Sequence, residues 1–168
     1  MSEKVLIALG SNLSEPVNQI QNAINYLNKQ SGVKVVAVSR LYRTAPVGYI
    51  DQPDFVNAAV HIETDLTPMV LLQMLNRIEA EFGRERSFQN APRTLDLDII
   101  DYHNQVWQTE RLSLPHPRAH ERAFVLAPLA DIVPYRVLGK HGRIKDLLAS
   151  LDVSDIHVLE HSAWATEH

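Results

Sequence analysis

The stretch APRTLDLDII, residues Ala91–Ile100, decides the fold because its apolar and acidic side chains alternate with the period of a β-strand. We predict a strand over Thr94–Tyr102, with the leucines and Ile99 on one face. The two aspartates, Asp96 and Asp98, would share the other face, although aspartate is depleted in strands. Asp101 is out of phase with this pair and is expected on the helix-packed side or at the strand end.

The chain before this strand is predicted to run strand, helix, strand, strand, helix. Ser14 is expected to cap the first helix, and Gly10-Ser11-Asn12 to form a structural turn after the first strand. The predicted strands are Val5–Gly10, Val33–Arg43 and Phe55–Thr64. The first helix follows Ser14, with Pro16 in its first turn and helical spacing from Val17 through Lys29, and the second helix runs from Thr67 to Gly83. With the aspartate strand this order is βαββαβ. It predicts a ferredoxin-like α+β sandwich with an antiparallel sheet, helices on one face and the other face open to ligands or extra elements.

The rest of the chain is predicted to add short elements to this sandwich. A turn at His103-Asn104 leads into a strand around Val106–Leu114. Two helices and a last strand follow, at Arg122–Ile132, Ile144–Leu151 and Ile156–Leu159. Because there is no internal repeat and no low-complexity linker, we expect a single domain over residues 1–168 with a frayed tail from about residue 161.

Composition narrows the class of protein. The 168 residues are 45% hydrophobic and 21% charged, which is typical of a globular protein. A net charge of −4 does not favour a nucleic-acid or anionic-membrane partner. The absence of cysteine excludes disulfides and thiolate zinc sites. The apolar run Val5–Leu9 is too short for a signal peptide or a membrane span, so we expect a soluble, cytoplasmic protein. We also expect a monomer.

The aspartate pair is typical of a metal site. Alternate residues on one face of a strand lie about 6.5–7 Å apart, and two carboxylates at that distance repel by about 2 kcal/mol. Hard divalent cations remove this cost, and Mg²⁺ usually takes one or two protein carboxylates while substrate phosphates complete its shell. The pair alone fits equally well a solvated edge strand that discourages aggregation.

Basic residues around the strand favour the metal interpretation. Their guanidinium groups suit phosphate, and carboxylates beside arginines are typical of phosphoryl transfer. These residues are Arg84, Arg86 and Arg93 upstream, and Arg111, His116, Arg118 and Arg122 downstream. About half of them are expected to be ordinary surface residues. The sequence has no Gly-x-x-x-x-Gly-Lys-Ser/Thr run, so a P-loop is excluded. The spacing of His116 and His120, without a His-Glu-x-x-His motif, favours phosphate contact or ordinary structure over zinc.

Five sequence blocks in order resemble one family. They are ALGSNL (8–13), YRTAPVG (42–48), DQPDFVNAAV (51–60), APRTLDLDII (91–100) and LPHPRAHERAFVLAPLAD (114–131). Together they resemble the 6-hydroxymethyl-7,8-dihydropterin pyrophosphokinases of folate biosynthesis, over nearly the whole chain. The resemblance implies a ferredoxin-like fold and transfer of pyrophosphate from ATP to the hydroxymethyl oxygen of the pterin, releasing AMP.

The resemblance also implies the site residues. Two Mg²⁺ ions would be held by Asp96 and Asp98. Catalytic arginines on mobile loops would be Arg84, Arg86 and Arg93. ATP would be contacted by Arg86, Arg93, Ile99, Arg111, Ser113, His116 and Arg122, with Glu79 near the adenosine. The pterin would be bound by Thr44, Pro46, Val47, Phe55, Asn57 and Phe124. From spacing alone, Phe55 and Phe124 are more typical of core residues, although two aromatic rings can sandwich a heterocycle.

Departures from the family pattern concern one loop above all. Asn90-Ala91 stands where many bacterial members carry Trp-Gly, and the loop is about one residue shorter. Phe88 is a candidate substitute for the missing ring. Phe55 stands where Tyr is common, and Asn76 where Gln is common. We expect weaker substrate affinity or altered loop dynamics, not a different reaction.

Other functional classes remain as alternatives. A ferredoxin-like palm enzyme or a glycosyltransferase with an Asp-x-Asp motif would also pair aspartates with a divalent metal. The first would be expected to have a basic template surface, and the second a longer chain with a nucleotide-binding βαβ half. A non-catalytic pterin or nucleotide sensor, or a paralogue with reduced turnover, is the alternative from another class.

Overall fold

The computed structural model describes residues 3–45, 54–83 and 95–162. Its main sheet has six strands, and the strand pairs are antiparallel. These strands are β1 (Glu3–Ser11), β2 (Val33–Val38), β3 (Arg40–Thr44), β4 (Phe55–Thr64), β5 (Leu95–Tyr102) and β10 (Ile156–Ser162). The strand order is β10-β3-β4-β1-β5, and β2 also pairs with β4. This confirms the predicted ferredoxin-like α+β fold, with β2 and β3 together taking the place of one strand.

Helices and two small hairpins complete the fold. The helices are α1 (Pro16–Asn28), α2 (Pro68–Gly83), α3 (Ala123–Ile132) and α4 (Ile144–Ala149), with a 3-10 turn at Ala119–Glu121. The hairpins pair β6 (Trp107–Gln108) with β7 (Ser113–Leu114), and β8 (Val137–Leu138) with β9 (Gly142–Arg143). No helix in the described part of the chain is both long and apolar enough to cross a membrane.

Each face of the sheet carries its own hydrophobic core. On one face, the apolar stripes of α1 and α2 pack against alternate residues of β1 and β5, such as Ile7 and Leu97. On the other face, α3 and α4 pack against Leu6, Ala59 and Ile100. Each fully buried Leu or Ile side chain contributes about 1.5–3 kcal/mol of hydrophobic stabilisation. The second face is thus only partly open, because α3 and α4 cover one end of it.

Several local predictions were wrong. The strand predicted over Val33–Arg43 breaks at Ser39, whose hydroxyl accepts the Ala59 N–H at 2.9 Å and so replaces a regular ladder bond. The N-cap of α1 is Glu15 in the left-handed region (φ 55°), without a side-chain cap, and not Ser14. The single strand predicted over Val106–Leu114 is the β6–β7 hairpin.

The phase predicted for Asp101 was wrong, whereas its predicted place at the strand end is confirmed, since it is the penultimate residue of β5. A register shift between β1 and β5 pairs Ile7 with Ile99 but Leu6 with Asp101, so Ile100 is the extra residue of a β-bulge. Asp101 therefore returns to the face of Leu6, which is the face of α3. There it is fully buried and accepts a hydrogen bond from Arg136 at 2.8 Å. The predicted turn at His103-Asn104 is confirmed, with positive φ at both residues.

Candidate active site

One row of residues crosses the sheet on the α3 face, beside the start of α3. Asn57 of β4 lies opposite Gly10 of β1, and Gly10 lies opposite Asp96 of β5. Directly paired residues of an antiparallel sheet point to the same face. Because neighbouring strands are about 4.8 Å apart, Asn57 and Asp96 are about 10 Å apart at their Cα atoms. All three line one pocket of about 830 Å³.

The two aspartates of β5 form one wall of this pocket. Asp96 and Asp98 lie on the same face and both line the cavity, as the alternation of their strand predicts. Partial burial raises the pKa of Asp98, and the positive charge of Arg122 opposes this shift. A raised pKa means that the ionised carboxylate is incompletely solvated, so a bound cation would stabilise it. Among the described residues, no group of three or more His, Asp or Glu side chains is arranged to hold a metal.

His116 and Arg122 face these carboxylates from the loop that precedes α3. The His116 N–H donates to the carbonyl of Ile100 at 2.8 Å, which ties this loop to β5. The Arg118 N–H donates to His116 Nδ1 at 3.1 Å. Burial, assisted by the charges of Arg122 and Arg118, lowers the pKa of His116. The neutral imidazole therefore carries its proton on Nε2, as a hydrogen-bond donor.

The opposite half of the pocket is aromatic and amide-lined. The Asn57 side chain donates to the Thr44 hydroxyl at 2.7 Å, and Phe55 is paired with Thr44 across β3 and β4. Phe124, in the first turn of α3, also lines the cavity, and the guanidinium of Arg122 lies 5.7 Å from the centre of its ring. The structure thus brings together four of the residues predicted to bind a pterin, namely Thr44, Phe55, Asn57 and Phe124.

Gly10 separates the two halves, and its predicted role as a turn residue was wrong. It lies inside β1, between Asn57 and Asp96. A Cβ atom at this position would be 2.8 Å from Asn57 Oδ1, closer than real contacts of this kind. The missing side chain therefore leaves the floor of the pocket open beside the amide. Ala8 and Ala59 are the next pair along the same face, and their small side chains also leave space beside the pocket.

Glu79 approaches the same strand from α2. Its carboxylate accepts the Leu97 N–H at 2.7 Å, between the two aspartates on the edge strand of the described sheet. Burial raises the pKa of Glu79 to about 7; the charges of Asp96 and Asp98 add to the shift, and the Leu97 hydrogen bond opposes it. Glu79 therefore titrates near neutral pH, next to the backbone that holds the carboxylate pair.

This titration predicts a specific pH dependence of stability. The pKa of Glu79 is higher in the folded chain than the ordinary 4.5, so folding favours the protonated form. The stabilisation that Glu79 contributes to the free energy of unfolding is fully present below about pH 4.5 and is lost as the pH rises through about 7. We expect Glu79→Gln, which stays neutral, to remove this decrease in urea unfolding measured from pH 4.5 to 8 without divalent metal.

Glu81→Gln is the matched control, because Glu81 is an exposed glutamate of the same helix. The difference in free energy of unfolding between wild type and Glu79→Gln at each pH reports on Glu79, because both proteins contain the same histidines. Parallel stability profiles for wild type and Glu79→Gln would contradict the shifted titration.

Four residues predicted to contact ATP do not line the described pocket. The Ile99 side chain is packed in the core on the face of β5 that α1 and α2 cover. Ser113 pairs with Gln108 in the β6–β7 hairpin. Arg111 is exposed beside that hairpin, and Glu79 lies under the strand edge. Other predicted positions lie outside the described residues: Pro46, Val47, Arg84, Arg86, Phe88, Asn90, Ala91 and Arg93.

The pocket also contains residues that the sequence did not assign to it. Asp152, Asp155 and Ile156 form a wall beside the aromatic half, because β10 pairs with β3 and Ile156 lies opposite Thr44. The last strand was predicted, but its partner was not, since pairing over such a chain distance leaves no local signal. Arg118 and Glu121 line the other half. The sequence indicates Arg118 only as one of several cations near the aspartate strand.

Fold and site together define a class of protein: a ferredoxin-like α+β chain whose pocket joins a carboxylate pair and cationic side chains to an aromatic, amide-lined half. Sequence comparison then identifies the family. The model of the 7,8-dihydro-6-hydroxymethylpterin-pyrophosphokinase (HPPK) family matches residues 6–134. The chain belongs to this family.

Individual relatives agree with this assignment. The chain is 43% identical over 159 residues to the 2-amino-4-hydroxy-6-hydroxymethyldihydropteridine pyrophosphokinase of Pseudomonas aeruginosa, covering 95% of this chain and 98% of the relative. It is 46% identical over 142 residues to the enzyme of the same name from Haemophilus influenzae, covering 84% and 89%. The crystal structure of wild-type Plasmodium falciparum HPPK-DHPS with pteroate matches with a TM-score of 0.71 at 14% identity. This likeness, over 89% of this chain and 42% of the Plasmodium chain, concerns the fold alone.

Proposed function

We propose that this protein transfers the terminal pyrophosphoryl group of ATP to the hydroxymethyl oxygen of 6-hydroxymethyl-7,8-dihydropterin, in folate biosynthesis. Family membership supports the reaction. The observation that carries the proposal is the row Asn57–Gly10–Asp96, whose three residues line the same pocket. At one end the Asn57 amide can form hydrogen bonds with the edge of a heterocycle, and at the other end the Asp96 carboxylate can bind a metal ion that also binds phosphate. The separation of about 10 Å suits a flat bicyclic substrate whose hydroxymethyl arm reaches toward the carboxylates.

The proposed step has a simple balance of atoms. The hydroxymethyl oxygen forms a bond to the β-phosphorus, and the bond between that phosphorus and the oxygen bridging to the α-phosphate breaks. AMP leaves with that oxygen, and the hydroxyl proton is released. The chain's contribution is positioning and charge stabilisation, because no described residue stands out as an obligatory general base. Neutral His116, whose Nδ1 accepts the Arg118 N–H, keeps Nε2 as a donor for a phosphate oxygen, and Arg122 supplies a positive charge near Asp98.

Two Mg²⁺ ions are the cofactors that we infer. Asp96 and Asp98 fit this role, since both line the pocket on one face and the raised pKa of Asp98 reflects a charge that a cation would stabilise. Two carboxylates, with no third His, Asp or Glu grouped with them among the described residues, match the way Mg²⁺ is shared with phosphates. When bound, the metal neutralises phosphate charge and orients the reacting groups.

The remaining roles follow from the family resemblance. Arg84, Arg86 and Arg93 are proposed to close over the triphosphate, with Pro46 and Val47 beside the pterin. Glu79, Arg111, Ser113 and the main chain of Ile99 are proposed to contact ATP from the edge of β5 and the β6–β7 hairpin, beyond the pocket described above. We also infer a one-domain, cytoplasmic monomer over residues 1–168, acting on small molecules and not on nucleic acid or membranes. The net charge of −4 supports the part of this inference that concerns nucleic acid and membranes.

The first experiment is to incubate the purified protein with ATP, Mg²⁺ and 6-hydroxymethyl-7,8-dihydropterin and to resolve the adenine nucleotides. We expect AMP that depends on the pterin, with no ADP. ADP would identify a simple kinase. Binding of both ligands without any product would favour the sensor alternative. Reactions without pterin, or with excess EDTA, are the controls for ATP hydrolysis and for metal dependence.

A further inference from the structure

We propose that Arg118 is a further polyphosphate-binding residue and that Glu121 holds its guanidinium while the pocket is empty of nucleotide. This inference rests on the proposed function, because it names a ligand contact in the same pocket. Arg118 lines the cavity together with Asp98, His116 and Arg122. Its positive charge contributes to the lowered pKa of His116, so the guanidinium lies close to the half of the pocket that contains the aspartates.

The backbone under Arg118 is fixed by contacts on both sides. Its N–H donates to His116 Nδ1 at 3.1 Å, and its carbonyl accepts the Glu121 N–H at 3.0 Å. The next residue, Ala119, is 1% exposed and packs in the core under α3. Because His116 is itself tied to Ile100 of β5, the base of the Arg118 side chain has a defined position relative to the carboxylate strand.

The side chain, in contrast, is only weakly engaged. Arg118 Nε lies 3.8 Å from Glu121 Oε1, and the two side chains are 66% and 57% exposed. An ion pair with this distance and exposure contributes little. A polyphosphate carries more negative charge than one carboxylate and accepts the forked hydrogen bonds of a guanidinium, so it would compete well for Arg118. Arg136, by comparison, is already committed to Asp101 at 2.8 Å.

Glu121 has a second partner to which it can remain paired. Its other oxygen lies 3.5 Å from His120 Nε2, and the His120 ring stacks on His141 with centroids 3.6 Å apart. Loss of Arg118 to a phosphate would therefore leave Glu121 with an imidazole neighbour and in contact with solvent. The exchange removes one weak ion pair and isolates no buried charge.

The test is the affinity for an ATP analogue with a methylene bridge between the α- and β-phosphates, in the presence of Mg²⁺, by calorimetry. We expect Arg118→Ala to weaken binding about tenfold, as for a lost hydrogen bond to a charged group. Arg118→Lys should recover part of the loss, and Glu121→Gln should strengthen binding. The Kd for the pterin should not change in any of these variants.

Arg143→Ala is the matched control. Arg143 makes the same i,i+3 contact, to Asp146 at 2.9 Å, with side chains 51% and 56% exposed, and it does not line the pocket. Equal affinities for Arg118→Ala and Arg143→Ala, with wild type binding the analogue, would overturn the role of Arg118 and leave the proposed function standing. A wild-type protein that does not bind the analogue would overturn both proposals.

Discussion

Asp98→Asn is expected to lower turnover about 10²–10³-fold, the range found when a preorganised electrostatic contact to a reacting phosphate or oxyanion is lost. Asparagine keeps the shape of the side chain but cannot supply the negative charge that a divalent cation requires. The fold should remain intact, because burial raises the pKa of Asp98 and the ionised form is already costly. Urea unfolding of the variant without metal should therefore show equal or higher stability than wild type.

Asp96→Asn is expected to lower turnover in the same way, because Asp96 shares the face and the pocket. Asp146→Asn is the control: Asp146 is an exposed aspartate paired with Arg143, and it does not line the pocket. Turnover near the wild-type value in Asp96→Asn and Asp98→Asn, at saturating Mg²⁺, would remove the metal role that we assign to them.

Gly10→Ala is expected to weaken pterin binding about tenfold or more, since overpacking at a well-packed position costs about 1–3 kcal/mol. The added Cβ would lie 2.8 Å from Asn57 Oδ1, and the Asn57 side chain is itself fixed by the hydrogen bond that it donates to the Thr44 hydroxyl at 2.7 Å. The amide must move, so its contact with a heterocycle edge is lost. The Kd for the pterin, measured by calorimetry without ATP, reports this effect.

A double-mutant cycle with Asn57→Ala tests the cause. If the clash with the amide is responsible, adding Gly10→Ala to Asn57→Ala should change the pterin Kd by less than about twofold, because the clashing atom is already gone. Full additivity of the two effects would show that Gly10 matters for another reason, such as the twist of β1.

Much of the fold could be predicted from the sequence because its elements carry strong local periodicity. The bounds predicted for β4 were correct, and those of α1 and α2 differ from the structure by about one residue. The errors fall where a single contact overrides the local pattern. Ser39 divides a valine-rich run by bonding Ala59, and the bulge at Ile100 reverses the phase of Asp101.

The site was predictable where its residues come from one strand or from consecutive residues, as for Asp96 with Asp98. The same holds for the family motifs that carry Asn57 and Phe124, which the structure brings into the same pocket. Gly10 was misjudged because the clearance it provides depends on Asn57, which is distant along the chain. The contribution of Asp155 depends on which strand β10 joins, and pairing partners are not encoded in local sequence.

The row Asn57–Gly10–Asp96 also bears on how this protein can change during evolution. The span between its two ends is set by main-chain hydrogen bonds of β4, β1 and β5, so it does not depend on the length or composition of any connecting loop. A substitution outside these three strands, such as Asn90-Ala91 in place of the Trp-Gly of the family pattern, can then alter the dissociation rate of the substrates without altering the distance between their binding sites. Sequence drift in this family is therefore expected to tune affinity readily and to change the reaction rarely.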